Sequence, residues 1–552
     1  MGRIAALDVV LRHVVEGRAS VASDEASVLL EETGDAYVLA LLSFTHFMAQ
    51  RYDDAAAVAA RAISEARDAE ALMLARACAG LGVAGAGTVD GEDHLGDARR
   101  DLASLKGVER DSAAFIRYLL AEASLASARL RLAAEFVDNS PGLRGRFLMK
   151  DGVAHPYLVM MELMYIRLYA FQGRITEALA YAEMADAREK RDVPVLVFDA
   201  TMCLVRGNAA EKTNVRVIAE RLERVLPEAR DYISSGCYLL VSYGLIATAD
   251  IPNAARLVLK AGGDATLSRL TIIDRALGLE MLVAAALVED DLVSAEAWLA
   301  RAEALAHDRI ARPTVERMRS RIALQAGDAA AAAHWAELAI DHARLDDRLV
   351  ETAEGEIVLS RARIALAQRG AASSRLEALA KDAVNSGYLA ARQSAARELR
   401  GIGRRLKPTT GSGFAGLSAR ERDVAFLIVE GFSNNAIAAE LHLSEHTVQV
   451  HVSRVLAAFG VASRFALAAK LSNDLPAATT GTGAPAALTP RQNAVVDRIV
   501  LGFSNEQIGR ELGVSIKTVE KHVSEVFRRW EVVSRIGVTR LARLRTDGSS
   551  AQ

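Results

Sequence analysis

Two stretches of the chain, SEHTVQVHVSRV (Ser444–Val455) and SIKTVEKHVSEV (Ser515–Val526), repeat one order of polar and apolar side chains 71 residues apart. As a helix, the first places Val448, Val452, Val455 and Phe459 on a single side, and the second does the same with Val519, Val523, Val526 and Trp530. That stripe fixes the opposite side. It carries His446, Gln449, Val450, Ser453 and Arg454 in the first copy, and Lys517, Glu520, Lys521, Ser524 and Glu525 in the second. Amide, hydroxyl, imidazole, ammonium and carboxylate groups on a helix face do directional hydrogen bonding. Neither face has a nucleophile beside a base, or a metal-ligand spacing, so the chemistry on offer is recognition rather than bond making.

The surrounding residues must hold these faces outward. Aligned without a gap, residues 417–464 and 488–535 agree at 22 of 48 positions. Ser418-x-x-Glu421 reads as a capping box opening a helix, and Thr489-Pro490-x-Gln492 is its counterpart with proline at the first helical position. Val424, Ile428 and Val429 face inward on that helix, as do Val495, Ile499 and Val500. The shared GFSN (Gly431–Asn434, Gly502–Asn505) is punctuation. Its glycine stops one helix, Phe432 or Phe503 turns inward, and Ser433-Asn434 or Ser504-Asn505 caps the next. That next helix is short, with Ile437 and Leu441, or Ile508 and Leu512, inward. A tight turn at 442–443 or 513–514 follows, and Ser444 or Ser515 caps the longer helix. A short helix, a tight turn and a longer helix with a polar outer face make a helix-turn-helix.

With these motifs in order, LSARE, GFSNNAIA, SEHTVQVHV and GVASR in the first copy and LTPRQ, GFSNEQIG, SIKTVEKHV and EVVSR in the second, both segments resemble the C-terminal DNA-binding domain of LuxR-type transcription regulators. The resemblance covers about 110 residues and implies two tandem four-helix domains that bind double-stranded promoter DNA. It implies base reading by Gln449, Val450 and Ser453, and by Glu520, Lys521 and Ser524. Glutamine can pair with adenine, valine can meet a thymine methyl, lysine can donate to guanine and glutamate can accept from cytosine. Thr447 and Thr518, His446 and Lys517, and His451 and His522 are the candidates for phosphate, with Arg454 and Arg528 completing the DNA-binding set. A helix-cap role for the threonines and a packing role for the histidines are the alternatives.

The copies differ. The first has His446 where the second has Lys517, and the second has Gln492 in place of the opening glutamate. Residues 417–475 carry 5 Lys/Arg and 6 Asp/Glu, whereas residues 488–547 carry 11 and 7, including Lys521, Arg528 and Arg529. Unequal phosphate affinity follows. The connector SNDLPAATTGTGAPAA (Ser472–Ala487) is rich in Pro, Gly, Thr and Ala, hence flexible. Sixteen such residues have a root-mean-square span of roughly 20–25 Å and stretch to about 50 Å. Half-sites one DNA turn apart are about 34 Å distant, within that reach. The alternative is that the first copy docks on protein, its last helix RFALAAKL (Arg464–Leu471) pairing with the second copy.

The longer first part is acidic, with 51 Lys/Arg and 57 Asp/Glu over residues 1–416. It reads as eight to ten helical pairs. Alanines seven apart recur at Ala55/Ala62, Ala178/Ala185, Ala295/Ala302 and Ala332/Ala339, letting neighbouring helices approach closely. Turn signals stand five residues before several of them, at Gly173, Asp290 and Gly327. This pattern resembles the tetratricopeptide repeat (TPR), although the spacing drifts around forty residues rather than thirty-four. Gly82–Gly96 and Val137–Pro156 read as long loops. The expected fold is all-α: a TPR-like solenoid over 1–405, a linker over 406–416, the first helix-turn-helix domain over 417–471, the flexible linker over 472–487 and the second domain over 488–545.

No phosphate loop, HExxH or GxSxG is present. His155 and His334 lack a suitably spaced carboxylate or cysteine, and His307 adjoins Asp308 on a helix where neighbours do not face each other. Cys78, Cys203 and Cys237 are far apart among apolar neighbours and read as buried, reduced thiols. No enzyme, metal or cofactor is expected. The N-terminus is an amphipathic helix rather than a signal peptide, and no uninterrupted apolar run reaches the roughly 18 residues of a membrane span, so a cytoplasmic location is expected. The combined reading is a bacterial-type transcription regulator whose repeat region senses a small molecule, peptide or protein. Activation is the family's commoner outcome, and RNA polymerase and a second copy of the chain are further candidate partners. An interaction scaffold and a sigma-like factor are the rival readings.

Overall fold

In the computed structural model the chain divides into two compact units, Met1–Leu406 and Lys407–Gln552. The structure describes residues 3–30, 34–87, 93–137, 147–150, 152–186, 192–406, 413, 417, 419–429, 432–461, 463–471, 488–500, 503, 505–530, 538 and 542, apart from the side chains of 25–30, 183–186, 192–194, 212–214, 419, 465, 469, 506, 527 and 528. Among these residues the fold is all-α, with a single isolated bridge between Lys150 and Val153.

Among the described residues the first unit is a TPR-like array of ten helical hairpins and a closing helix, Leu389–Gly401. Aspartates start many of its helices. Asp35, Asp68, Asp93, Asp291 and Asp328 each accept backbone N–H bonds at a helix N-terminus. The alanine pairs mark where the two helices of a hairpin meet. Ala55, Ala62, Ala178, Ala295, Ala302, Ala332 and Ala339 are all buried, and the side chain of Ala185 lies outside the described residues. Twelve residues before two of these positions, the first helix carries a serine that bonds a carbonyl of the second. Ser43 Oγ donates to Ala55 at 2.7 Å, and Ser320 Oγ to Ala332 at 2.6 Å. This repeating element was not picked out in the sequence.

The turns inside the hairpins use a left-handed residue. Gly173 (φ +70°), Asp290 (+59°) and Gly327 (+88°) take that conformation where the sequence placed turn signals. Gln50, Ala128, Ala210, Ala249 and Ala367 take it too, with φ between 56° and 65°. These carry no glycine, so the turns they make leave no composition signal.

Gly82–Gly96 is not a loop throughout. Gly82 continues the helix Ala69–Ala86, and Gly96 belongs to the helix His94–Arg100. The glycines are there for contact rather than bending. A Cβ on Gly82 would lie 2.9 Å from the Ala56 Cα, and one on Gly85 would strike the Tyr52 ring. Ala69–Ala86 is also long and apolar enough to cross a membrane, but 67% of that stretch is buried inside the array, which makes it a core helix. In the second expected loop, residues 138–146 and 151 lie outside the described residues. Phe147 is fully buried and His155 N donates to its carbonyl at 3.1 Å. His155 itself is buried, with Nε2 3.5 Å from the carboxylate of Asp8, a neighbour distant in sequence.

The array winds back on itself. Gln50 Nε2 donates to Ser235 Oγ at 2.8 Å and to the Arg269 carbonyl at 3.0 Å, and the Tyr52 hydroxyl donates to the same carbonyl at 2.6 Å. The Phe47 and Tyr232 rings lie 4.6 Å apart, and Arg131 pairs with Asp347 at 2.7 Å. Hairpins some two hundred residues apart are therefore stacked neighbours. Behind this interior a buried ion network joins successive first helices. Arg317 bonds Glu280 (2.6 Å) and Glu351 (2.8 Å), and Arg348 also bonds Glu351. The three cysteines are buried and free, and burial pushes the Cys203 and Cys237 thiols up to about 12.

Candidate nucleic-acid interface

In the second unit, the first copy builds helices at Ala419–Val429, Asn434–Glu440, Glu445–Phe459 and Arg464–Leu471. The second builds Pro490–Val500, Asn505–Leu512 and Ile516–Arg529, with Val538 and Ala542 packed into its core. Val424, Ile428, Ile437, Val448, Val455, Phe459 and Leu467 form the first core, with Val429, Phe432, Leu441 and Val452 packed against it. Val495, Ile499, Ile508, Val519, Val523, Val526 and Trp530 form the second, with Val500, Phe503 and Leu512 beside them.

The local punctuation has visible hydrogen bonds. Phe432 N donates to the Leu427 carbonyl at 2.9 Å, and Phe503 N to the Arg498 carbonyl at 3.0 Å. A bond reaching five residues back is the closure that a left-handed helix stop makes. Gly431, Gly502 and Ser504 lie outside the described residues. Ser433 caps the second helix through Ala436 N at 3.2 Å. The second copy has its capping box, with Thr489 N donating to Gln492 Oε1 at 3.0 Å and Gln492 N to Thr489 Oγ1 at 3.3 Å. Ser418, the partner expected for Glu421, lies outside the described residues.

Ser444 and Ser515 cap the long helices. Each accepts from a backbone N–H three residues on, Thr447 N and Thr518 N, both at 3.1 Å. The threonine hydroxyls sit 2.7 and 2.8 Å from the cap serines. Between the short and long helices, Gly513 takes φ +65° in the second copy, and His442 takes φ +53° at the matching place in the first. A histidine there adopts a conformation that an L side chain disfavours.

Three arginines hold the frame, and nothing in the amino-acid order pointed to their task beyond their repetition in LSAR, LTPR and VASR. Arg420 donates to the Leu441 carbonyl, and Arg491 to the equivalent Leu512 carbonyl at 3.0 Å, tying the opening helix to the end of the short one. Arg464 donates to the Phe432 carbonyl at 2.5 Å, stitching the fourth helix of the first copy to its GFSN turn.

With the valine stripes buried, the opposite faces are open to solvent. His446, Gln449, Val450 and Ser453 are exposed on the first long helix, and Lys517, Glu520, Lys521 and Ser524 on the second. Thr447, His451, Thr518 and His522 are half-buried at the edges of these faces. The side chain of Arg528 lies outside the described residues. Arg454 is brought back toward its own domain, with Nη1 3.4 Å from Glu421 Oε1, and His451 Nδ1 lies 3.9 Å from the same oxygen. In the second copy those places hold Gln492, Glu525 and His522, and Glu525 lies 3.8 Å from Arg529. Leu467 and Leu471 of the first copy's last helix are buried in its own core, which removes them from the apolar surface expected for docking. No group of His, Cys, Asp or Glu that could hold a metal ion occurs among the described residues.

The family model for bacterial regulatory proteins of the luxR family matches residues 415–471 and again 486–542. Proteins named as HTH-type transcriptional regulators from Mycobacterium bovis and Mycobacterium tuberculosis are 47% identical over 68 residues. That segment is 12% of this chain and 8% of each relative, so the chain spans only a small part of the relatives it matches. Among solved structures, a Rap protein complexed with competence and sporulation factor is similar at 12% identity and TM-score 0.43, covering 66% of this chain and 99% of that one. The APC/C hetero-tetramer Cut9–Hcn1 is similar at 11% identity and TM-score 0.27, covering 83% and 94%. At such scores these likenesses carry no argument, and the hairpins themselves define the array. The repeated core, caps and motif order, together with the two family matches, make residues 415–471 and 486–542 tandem LuxR-family helix-turn-helix domains.

Proposed function

We propose that the chain regulates transcription by binding duplex promoter DNA through both long-helix faces, with the helical-repeat unit as the receiver of an effector. The observation that supports this best is the twin set of solvent-facing side chains, His446/Gln449/Val450/Ser453 and Lys517/Glu520/Lys521/Ser524, polar but for Val450 and each on a helix whose other side is core. A helix so presented fits the major groove, where such groups can read base edges. Within these faces Gln449, Val450, Ser453, Glu520, Lys521 and Ser524 are assigned to bases; His446, Lys517, Thr447, Thr518, His451 and His522 are assigned to phosphate, with Arg528 in the DNA-binding set.

The two heads have unequal tasks. In the second, Lys517 and Lys521 provide open cations. In the first, the Arg454 cation is neutralised by Glu421. The second head supplies most of the phosphate affinity, and the first adds sequence reading at high local concentration across the connector. Promoter activation in the cytoplasm is the expected output, and no catalytic step is assigned.

Footprinting on genomic fragments selected by the purified chain tests the reading. The wild type should protect two adjacent major-groove segments, and a His446/Gln449/Arg454 triple alanine variant should lose one of them. A chain that ignores duplex DNA at low ionic strength would refute it.

A further inference from the structure

The helical-repeat unit holds a partly open cavity of about 360 Å³ where its hairpins wind back on one another. Its wall is drawn from distant parts of the array, with Phe44 and Tyr118 from early hairpins, Arg167 from the fifth, Arg317 from the ninth and Tyr388 and Arg397 from the closing helix and its cap. The volume lies in the range of sites that enclose small organic ligands.

Gly236 is the first indication that this space is kept open. It lies inside the helix Tyr232–Ala247 and on the cavity wall. Several other helical glycines have a packing reason, whereas Gly370 and Gly401, at helix ends, have open space as Gly236 does. A Cβ on Gly207 would come within 2.5 Å of the Gly244 backbone, and one on Gly244 within 2.3 Å of the Cys203 carbonyl. A Cβ on Gly236 would meet nothing within 4 Å. A glycine weakens a helix relative to almost any other residue. Here the missing side chain leaves open space on a wall that also carries Phe47 and Tyr232.

The charge on the wall sets the chemistry. Seven arginines and five carboxylates reach it. One of the carboxyls, Asp274, is raised by burial and receives hydrogen bonds from Thr271 and Tyr243. Glu280 and Glu351 are held by Arg317, and Glu354 lies 3.1 Å from Arg321. Arg361 bonds Glu398 at 2.8 Å, while Arg397, exposed on the same wall, has no ion-pair partner among the described residues. The cavity therefore combines an aromatic region with an excess of arginine, and a guanidinium prefers a planar anion.

We propose that this cavity binds a small organic anion whose carboxylate is held by Arg397 and whose aryl or alkyl body packs beside Gly236 against Phe47 and Tyr232. The ligand would bridge successive turns of the array. The proposal rests on the reading of the repeat unit as an effector domain and gives that effector a chemical class.

The test uses the full chain and a series of phenylalkanoates, from phenylacetate to 8-phenyloctanoate, beside the matching phenylalkylamines. Calorimetry and thermal unfolding should show that the longer acids bind and raise Tm, while the amines do neither. Gly236→Leu places a better helix former in open space, so it should fold normally and lose acid binding. Arg397→Glu should keep its unliganded Tm and weaken acid binding about tenfold or more. Acids that fail to bind at millimolar concentration, amines that bind equally well, or a Gly236→Leu chain that binds as the wild type does would each overturn the site. A gel shift with and without the best acid separates the two readings. Binding without any change in DNA affinity keeps the anion site and overturns the effector role.

Discussion

Arg454, on the first long helix, lies 3.4 Å from Glu421, on the helix that opens the same domain. The second copy has no such pair, because Gln492 is engaged in its own capping box and position 525 is a glutamate. Two domains with one core pattern thus present different electrostatics, and the exchange of Glu421 and Arg454 for Gln492 and Glu525 adds to the difference made by Lys517 and Lys521. Two LuxR-family domains on one chain need not contribute equally to DNA affinity.

Glu421→Gln should release Arg454 and strengthen DNA binding. If the freed guanidinium reaches a phosphate, the slope of log K against log salt steepens by about 0.9. A salt titration of gel-shift affinity measures this, and an unchanged slope would show that Arg454 faces no phosphate.

Lys521→Ala should weaken specific binding by about 1–3 kcal/mol and relax one base preference. Selection of random duplexes by wild type and variant reads both effects. Uniform weakening across all sequences would move Lys521 from base reading to phosphate contact.

His442→Gly should stabilise the first helix-turn-helix domain by about 1 kcal/mol, since the left-handed conformation at φ +53° penalises a side chain. Gly513→Ala, at the matching turn, should destabilise the second by a similar amount. Denaturant unfolding would reveal each change, and a destabilised His442→Gly chain would mean that His442 makes a compensating contact.

Burial alone would raise the Glu351 carboxyl, but Arg348 and Arg317 outweigh it and pull the group down from its ordinary 4.5 to about 2. A carboxylate depressed on folding stabilises the protein above its unfolded pKa, and that contribution is lost as pH falls from about 4.5 towards 2. The loss amounts to roughly 3 kcal/mol. Glu351→Gln leaves Arg348 buried beside a neutral amide and should cost about 3–5 kcal/mol near neutral pH while flattening the acid limb. Stability against pH for the two chains checks this, and parallel curves would assign the acid limb to other groups.

The amino-acid order by itself determined the two recognition helices, their caps and their outward faces. An apolar stripe at helical spacing leaves one side to bury, and serine three residues before a threonine amide leaves one place to start. Alanines seven apart likewise marked the close face of several hairpins. Only the tertiary structure decided what depends on partners far along the chain. The glycines at 82 and 85 look like loop residues until Ala56 and Tyr52 are seen against them. The left-handed turns at Ala249 and Ala367 are imposed by the hairpins they close, because nothing in an alanine asks for that conformation. The cavity exists because hairpins some two hundred residues apart stack on each other, and local periodicity holds no information about which distant face a helix will meet.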